Sequence, residues 1–245
     1  MDYNELYFNK IYDNGTCPHL EECNPKKYKD GHSCYRAKIG KEYENCKTKI
    51  MFVGKEDING CPFVESPQSI CDTRNNNKHY LGLYYTAVML LNGKEPSDLR
   101  KETLEKYTGL EEQYCLTNYF KCAFKENLKD VHGLEITPPM KKYCHEYLVK
   151  EIALLNPDIV IIQGKFTNDH FYKKLTTEVN KTTSLIKNEN GIWLEKYEYT
   201  NKRKPLYIVW SYHPAGSKFY NNETMKSFQK ALSMIPGTAF YNKGI

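Results

Sequence analysis

The sequence of 245 residues lacks any apolar run long enough to cross a membrane, since a spanning helix needs about 20 such residues. Its opening stretch, MDYNELYFNKIYDN, is charged and polar, so we expect no secretory signal peptide. Internal repeats, low-complexity tracts and linker-like segments are also missing. These absences argue against a membrane or repeat protein. We expect a cytosolic protein with a single domain over residues 1–245.

A strong excess of one charge is missing as well, because 35 basic and 30 acidic residues give a net charge of only +5. This mild positive balance is compatible with a nucleic-acid partner but does not indicate one by itself. Cysteine, in contrast, is plentiful, with nine residues. A reducing cytosol disfavours disulfides, which makes metal or cluster ligation the sharper interpretation. The alternative is that several cysteines are small buried apolar residues, which we expect for Cys115 in its strand-like run.

Four apolar runs have the character of buried strands in a parallel sheet. They cover residues 49–53, 114–119, 158–163 and 206–210. Helical patterns lie between them: one ends at Gly93, one runs from an N-cap at Ser97 to Gly109, and one follows an N-cap at Thr137. A last helix is predicted in ETMKSFQKALSMI. The alternating segment over residues 183–199 surrounds an Asn-Gly turn and predicts a hairpin added antiparallel to the sheet edge.

This order of elements predicts a three-layer α/β/α sandwich with a central, mostly parallel, four-stranded sheet over residues 46–235. Residues 1–45 are rich in tyrosine, lysine and cysteine. They predict an irregular, cysteine-rich N-terminal extension that something other than its own core holds in place.

His213 directly follows the last predicted strand, in the segment SYHPAG. Pro214 fixes its own φ and biases His213 toward extended backbone, so a stiff loop would present the imidazole at the strand end. Such strand ends are frequent locations of functional sites. On this dipeptide alone, a solvated histidine that merely ends a strand is the simpler interpretation.

Five short segments occur in one order along the chain. They are IMFVGKED at 50–57, GCPFVES at 60–66, LTNYFKC at 116–122, KKYCHEYL at 141–148 and SYHPAG at 211–216. Together they resemble the uracil-DNA glycosylase superfamily, most closely its iron–sulfur-containing branch, family four. The resemblance covers roughly residues 46 to 235. It implies a monomeric, monofunctional DNA repair enzyme that flips uracil or a related modified pyrimidine out of DNA and hydrolyses its N-glycosidic bond.

The resemblance also implies roles for individual residues. Asn118 would bind the O4/N3 edge of the pyrimidine through its amide, and Gly54 at the end of the first strand would also belong to the base-binding site. Phe63 would stack on the flipped base. His213 would donate a hydrogen bond to O2, where negative charge develops on the departing base. The competing interpretations are a loop cap for Asn118 and ordinary core packing for Phe63.

The segment after the first strand departs from the family pattern. Family four usually has Gly-Glu-Ala-Pro-Gly there, whereas this chain has Gly54-Lys55-Glu56-Asp57. Either Glu56 or Asp57 would orient water and stabilise the oxocarbenium-like sugar. Two solvated loop acids are the alternative. Ala215 also stands where a serine usually follows His-Pro, so the side-chain contact of that serine to phosphate has no counterpart at this position.

The segment GSKFYNN places Lys218, Phe219 and Tyr220 on the loop that probes the minor groove in relatives. The resemblance therefore implies that they bind DNA and fill the gap left by the flipped nucleotide. Packing of the loop against the protein body would explain the same aromatic residues without DNA.

Four cysteines would hold a [4Fe–4S] cluster by the same resemblance. They are Cys17, Cys23, Cys122 and Cys144. The later two match the family well, but relatives have an early Cys-x2-Cys, and five residues separate Cys17 from Cys23 here. Cys34 is the first candidate to replace an early ligand, followed by Cys46. Four thiolates also suit tetrahedral zinc. The cluster would have a structural role, fixing the extension to the domain, and would not transfer electrons.

Two other functions remain open at the level of sequence. One is excision of a hypermodified base, because the altered loop around Glu56 is where the range of substrates would change. The other is a DNA-binding module with this fold and no catalysis. Both keep DNA as the partner.

Overall fold

The structure is a computed structural model. It describes residues 19–23, 33–34, 37–54, 78–94, 109–119, 122–123, 138–164, 179–199, 204–213 and 216–241. Within these ranges, the strands are β1 (Ser33–Cys34), β2 (Lys38–Ile39), β3 (Ile50–Gly54), β4 (Tyr114–Asn118), β5 (Cys122–Ala123), β6 (Ile159–Gln163), β7 (Val179–Glu189), β8 (Ile192–Tyr199) and β9 (Leu206–Ser211). The α-helices are α1 (Leu20–Cys23), α2 (Lys78–Asn92), α3 (Pro138–Leu155) and α4 (Asn222–Ser233).

The four predicted apolar strands form the centre of the main sheet as β4, β3, β6 and β9, and neighbours among them run parallel. Every residue of these four strands is buried. Helices cover both faces of such a strand, which is why its sequence is a continuous apolar run instead of an alternating one. The predicted strand positions are confirmed to within one or two residues.

The main sheet has seven strands among the described residues, in the order β2-β4-β3-β6-β9-β8-β7. The prediction of a four-stranded sheet was therefore wrong. β2 pairs antiparallel with β4 and has only two residues, which is too short to produce an alternating pattern in the sequence. At the other side, β8 pairs antiparallel with β9 and is followed by β7. The predicted hairpin is thus an integral part of the sheet.

The hairpin turn lies at Asn190 and Gly191, which have φ values of 51° and 82°. A two-residue turn of type I′ requires positive φ at both positions, and Asn-Gly is the pair that adopts it at least cost. The prediction of a hairpin around this dipeptide is confirmed. A Cβ atom built on Gly191 would overlap the ring of Tyr212, so the turn also packs against the segment that follows β9.

Helices lie on both faces of the sheet. On one face, α3 packs on the sheet through Leu148 and Ile152. On the other face, α2 and α4 bury Val88 and Phe228 in a second cluster. α2 ends at Asn92, and Gly93, with φ 62°, follows it as the predicted C-terminal stop. The helix predicted from Ser97 lies outside the described residues.

Part of the predicted extension belongs to the same core. Tyr43 is completely buried in the cluster that contains α3, and its hydroxyl donates to the carbonyl oxygen of Leu155 at 3.2 Å. β2 precedes Tyr43 and completes one edge of the sheet. A separate extension over residues 1–45 is therefore not confirmed. No helix in the described ranges combines the length and apolar character that crossing a membrane requires.

Replacing Gly191 with alanine should lower the free energy of unfolding by about 2–5 kcal/mol, because it adds a left-handed backbone penalty to a steric displacement of Tyr212. Gly109→Ala is the matched control. Gly109 also has positive φ, at 88°, but a Cβ atom there meets nothing within 4 Å, so the loss should be only about 1–2 kcal/mol. Urea unfolding measures both values, and equal losses would contradict the packing of Gly191 against Tyr212.

Candidate functional site

Four residues form a row across the carboxyl ends of the central strands. Gly54 of β3 pairs with Asn118 of β4, and Gln163 of β6 pairs with Ser211 of β9. Val53 pairs with Ile162 in the parallel pair β3 and β6, so the next residues, Gly54 and Gln163, are neighbours across the two strands. Carboxyl ends of parallel strands meet at one edge of the sheet, where sites of α/β proteins are commonly located.

These four residues also share one face of the sheet. Side chains alternate between faces along a strand. Phe52, Leu116, Ile161 and Val209, each two positions earlier, belong to the cluster formed with α2 and α4. The row Asn118, Gly54, Gln163 and Ser211 therefore continues this face beyond its apolar part.

Asn118 lies directly against Gly54. A Cβ atom built on Gly54 would stand 2.5 Å from Oδ1 of Asn118, which is closer than such contacts occur in proteins. The backbone also connects the two strands here, because the amide of Tyr119 donates to the carbonyl oxygen of Gly54 at 2.8 Å. Asn118 is 7% exposed. The structure thus brings two predicted site residues together, and only glycine at position 54 leaves room for the amide.

His213 lies two positions beyond β9 and is half-buried. Its carbonyl oxygen accepts a hydrogen bond from the amide of Gly216 at 2.8 Å. The predicted stiffening of this strand end by Pro214 stays a prediction. Pro214 and Ala215 lie outside the described residues.

The predicted DNA-contacting residues occupy a short 3₁₀ helix, Ser217–Tyr220. Phe219 is 1% exposed and packs in the core cluster with α2 and α4. This burial fits packing of the loop against the body and not an apolar wedge between bases. Lys218 is exposed, and its Nζ lies 5.7 Å from the centre of the Tyr212 ring. Tyr220 is half-buried and meets Phe219 edge to face, with ring centres 5.1 Å apart.

Three predicted site residues lie outside the described residues. They are Glu56, Asp57 and Phe63. Their roles as carboxylate and stacking ring stay predictions.

Cys23 and Cys144 are buried in the same core cluster, at 4% and 2% exposure. Cys23 ends α1, and Cys144 lies in α3. The imidazole of His19 stacks on the ring of Tyr143, with centres 3.6 Å apart and planes inclined by 2°. The Tyr143 hydroxyl donates to a carboxylate oxygen of Glu22 at 2.6 Å. These contacts fix α1 against the part of α3 that carries Cys144.

The hydrogen bond between Tyr143 and Glu22 changes the pKa of both groups. It lowers the pKa of the Glu22 carboxyl, since it stabilises the carboxylate, and it raises the pKa of the Tyr143 phenol. The contact is therefore strongest where the carboxylate is charged and the phenol is neutral, and it weakens as the pH falls through the lowered pKa of Glu22.

A second cysteine pair comes from β1 and β5, where Cys34 stands opposite Cys122 in an antiparallel register. Cys17 lies outside the described residues. Cys46 makes different contacts: its thiol lies 3.2 Å from the carbonyl oxygen of Glu42, and burial raises its pKa. Cys115 is completely buried, as predicted for a small apolar residue.

The described cysteines supply two pairs that would suit a four-thiolate centre, but the described side chains do not form one such group. The described residues contain no group of three or more side chains placed to hold a metal ion. They do contain the two pairs, Cys23 with Cys144 in one core cluster and Cys34 opposite Cys122 in the backbone.

Gln163 is the residue that sequence reasoning missed. It is completely buried, and neither its Oε1 nor its Nε2 has a hydrogen-bond partner. The available signal was a polar residue at the end of an apolar strand, IVIIQ, which is the same signal that identified Asn118 in YCLTN.

Proteins with an open α/β sheet commonly bind ligands beyond the carboxyl ends of the parallel strands, and in this protein the buried amides of Asn118 and Gln163 lie at that edge. The family model described as the Uracil DNA glycosylase superfamily matches residues 41–235. The chain belongs to this superfamily. The predicted membership is thereby confirmed.

Three similar proteins carry the name Type-4 uracil-DNA glycosylase, which supports the predicted branch. The protein from Sulfurisphaera tokodaii is 27% identical over 195 residues, which is 77% of this chain and 69% of that protein. The one from Saccharolobus solfataricus is 26% identical, covering 79% of this chain and 76% of that protein. The one from Archaeoglobus fulgidus is 23% identical, covering 78% and 77%.

The contact between α1 and α3 can be tested at Tyr143. Tyr143→Phe keeps the ring that stacks on His19 and removes the hydroxyl that donates to Glu22, whereas Tyr143→Ala removes both. The amide of Cys23, which donates to the carbonyl oxygen of His19 at 2.9 Å, should exchange roughly 3–10-fold faster in Tyr143→Ala and less so in Tyr143→Phe. Hydrogen exchange measures this rate. Unchanged exchange in both variants would show that the stack does not fix α1.

Proposed function

We propose that the protein is a monofunctional DNA glycosylase that hydrolyses the bond between deoxyribose and a flipped-out uracil and leaves an abasic site. The observation that carries this proposal is the amide of Asn118, buried over Gly54 at the carboxyl edge of the sheet. The names of the three similar proteins support the same activity.

Asn118 has the chemistry to select uracil. Its Nδ2 donates to the O4 carbonyl, and its Oδ1 accepts from N3–H. Cytosine presents a donor at N4 in place of O4, so the same amide would face donor against donor. A buried polar group that remains unpaired is costly, which makes this mismatch an effective source of specificity.

The chemical step would use one carboxylate and one imidazole. Glu56 or Asp57 would accept a proton from water as the water oxygen bonds to C1′ of the sugar. The electron pair of the C1′–N1 bond leaves with the base, and its charge develops largely at O2. His213 would donate a hydrogen bond to that oxygen. The hydrogen bond from the Gly216 amide to the His213 carbonyl oxygen supports this role because it restrains the histidine backbone.

Lys218 would contact the phosphate backbone near the flipped nucleotide. It is exposed and stands five residues after His213, so a phosphate bound there would align the strand with the imidazole. Such contacts position DNA without reading its sequence.

The proposed activity is tested with oligonucleotides that carry one uracil, hypoxanthine, xanthine or modified pyrimidine, followed by alkaline cleavage. Scission at uracil is the expected result. Scission only at another base would identify a different glycosylase, and binding without scission would identify a DNA-binding module.

His213→Ala should lower the single-turnover rate of uracil excision by roughly 10²–10³-fold, the typical effect of losing one preorganised donor. DNA affinity should change little, since the interaction develops only in the transition state. Rapid-quench kinetics and a binding titration provide the two readouts. Full activity in this variant would remove His213 from the chemistry.

We further propose that four cysteines hold a [4Fe–4S] cluster, with Cys34 in place of Cys17. Cys23 and Cys144 share one core cluster. Residues directly opposite in an antiparallel pair have Cα atoms about 4.5–5.5 Å apart, and Cys34 and Cys122 stand in that relation. The thiolates would bind iron, and the cluster would supply a cross-link between α1, β1 and the α/β body.

Ligand identity is tested by comparing Cys34→Ser with Cys17→Ser as a matched pair. Cys34→Ser should bleach the protein and reduce bound iron and sulfide severalfold, whereas Cys17→Ser should retain both. Iron retained in Cys34→Ser and lost in Cys17→Ser would reverse the assignment. Stoichiometric zinc in the anaerobically purified wild type would replace the cluster by a tetrahedral zinc site.

A further inference from the structure

We infer that Gln163 is a further catalytic residue, whose amide donates a hydrogen bond to O2 of the flipped base. This inference rests on the proposed glycosylase function. The geometry behind it is the row of strand-end residues, in which Gln163 stands between Gly54 and Ser211.

The first support is the unpaired amide itself. Gln163 is completely buried, and both polar atoms of its side chain lack a partner. Most buried polar side chains in proteins are hydrogen-bonded, because an unpaired one loses its interactions with water without compensation. Such a group is therefore poised for a ligand that supplies the missing partner.

The second support is the lack of a side chain between the two amides. Asn118 and Gln163 lie on either side of Gly54 and share its face of the sheet. Two strand spacings separate their backbones by about 9–10 Å. Because Gly54 has no side chain, the amide of Asn118 occupies the space over it, on the side of Gln163. One flat base edge would then meet both amides.

The order of the residues matches the order of atoms on the pyrimidine. Asn118 would bind O4 and N3, and O2 follows N3 on the ring. Gln163 follows Gly54 along the sheet edge, on the side of β9, the strand that leads to His213. Its Nε2 would therefore reach O2 from the protein side, in addition to the imidazole.

Ser211 does not take this role from Gln163. Its hydroxyl, buried at 4% exposure, has the carbonyl oxygen of Tyr212 as partner at 3.2 Å. The hydroxyl thus has a structural use, whereas the neighbouring amide has none. The row therefore provides an internal control.

Gln163→Met removes the amide at nearly constant volume. We expect the single-turnover rate of uracil excision to fall by about 10²-fold, as for other lost donors to developing charge. The melting temperature should rise by about 2–4 °C, because a buried group without a partner is removed. Ser211→Ala should instead lower the melting temperature, because its hydroxyl has a partner within the protein.

Base analogues identify the atom involved. Sulfur accepts hydrogen bonds weakly, so 2-thiouracil should reduce the rate of the wild type relative to uracil more than it reduces the rate of Gln163→Met. 4-Thiouracil changes the atom bound by Asn118, and its effect should be equal in the two proteins. Equal effects of 2-thiouracil would overturn the contact to O2.

The remaining outcomes separate the two proposals. A wild type that does not excise uracil contradicts the proposed function. An active wild type with full activity in Gln163→Met contradicts only the inference about Gln163. A variant with both a lower melting temperature and a lost rate would show a structural role, and this result also overturns the inference.

Discussion

Asn118 lies over Gly54 because β3 and β4 run parallel in a register that pairs these two residues. The contact between the Asn118 amide and Gly54 depends on that register. The register is maintained by the complete burial of the four central strands. A shift by one residue would move every side chain to the opposite face of the sheet. It would direct the strand-end amides toward α3 and separate them from the residues that follow β9.

Much of the fold was predictable because the sequence patterns involved are long or have a strong local cause. The central strands are continuous apolar runs. The hairpin contains Asn-Gly, one of the few dipeptides that readily form its type of turn. β1, β2 and β5 have two residues each, so no periodicity identifies them. Their positions follow from pairing with partners far away in the sequence, which only the three-dimensional structure shows.

Candidate site residues could be named from the sequence where they belong to a motif. They could not be named where their environment depends on tertiary packing. Asn118 was identified through its motif, and the structure places its amide against Gly54. Its role in base binding stays a prediction. Gln163 belongs to no recognised motif, and it became a candidate site residue only because its side-chain amide lacks hydrogen-bond partners in the structure. Phe219 occupies a loop associated with DNA, yet it fills the core, because an aromatic ring next to an apolar cluster is stabilised more by burial than by exposure.

The last strand of the sheet, β7, has a consequence for association between copies of the protein. It is eleven residues long and forms a free edge of the main sheet within the described residues. Long free edges invite pairing with a strand from another chain, which leads to aggregation. Here the register is interrupted at three places along the strand, and Lys181 and Lys187 are exposed. Bulges and exposed lysines are features by which natural edge strands oppose pairing with a second copy.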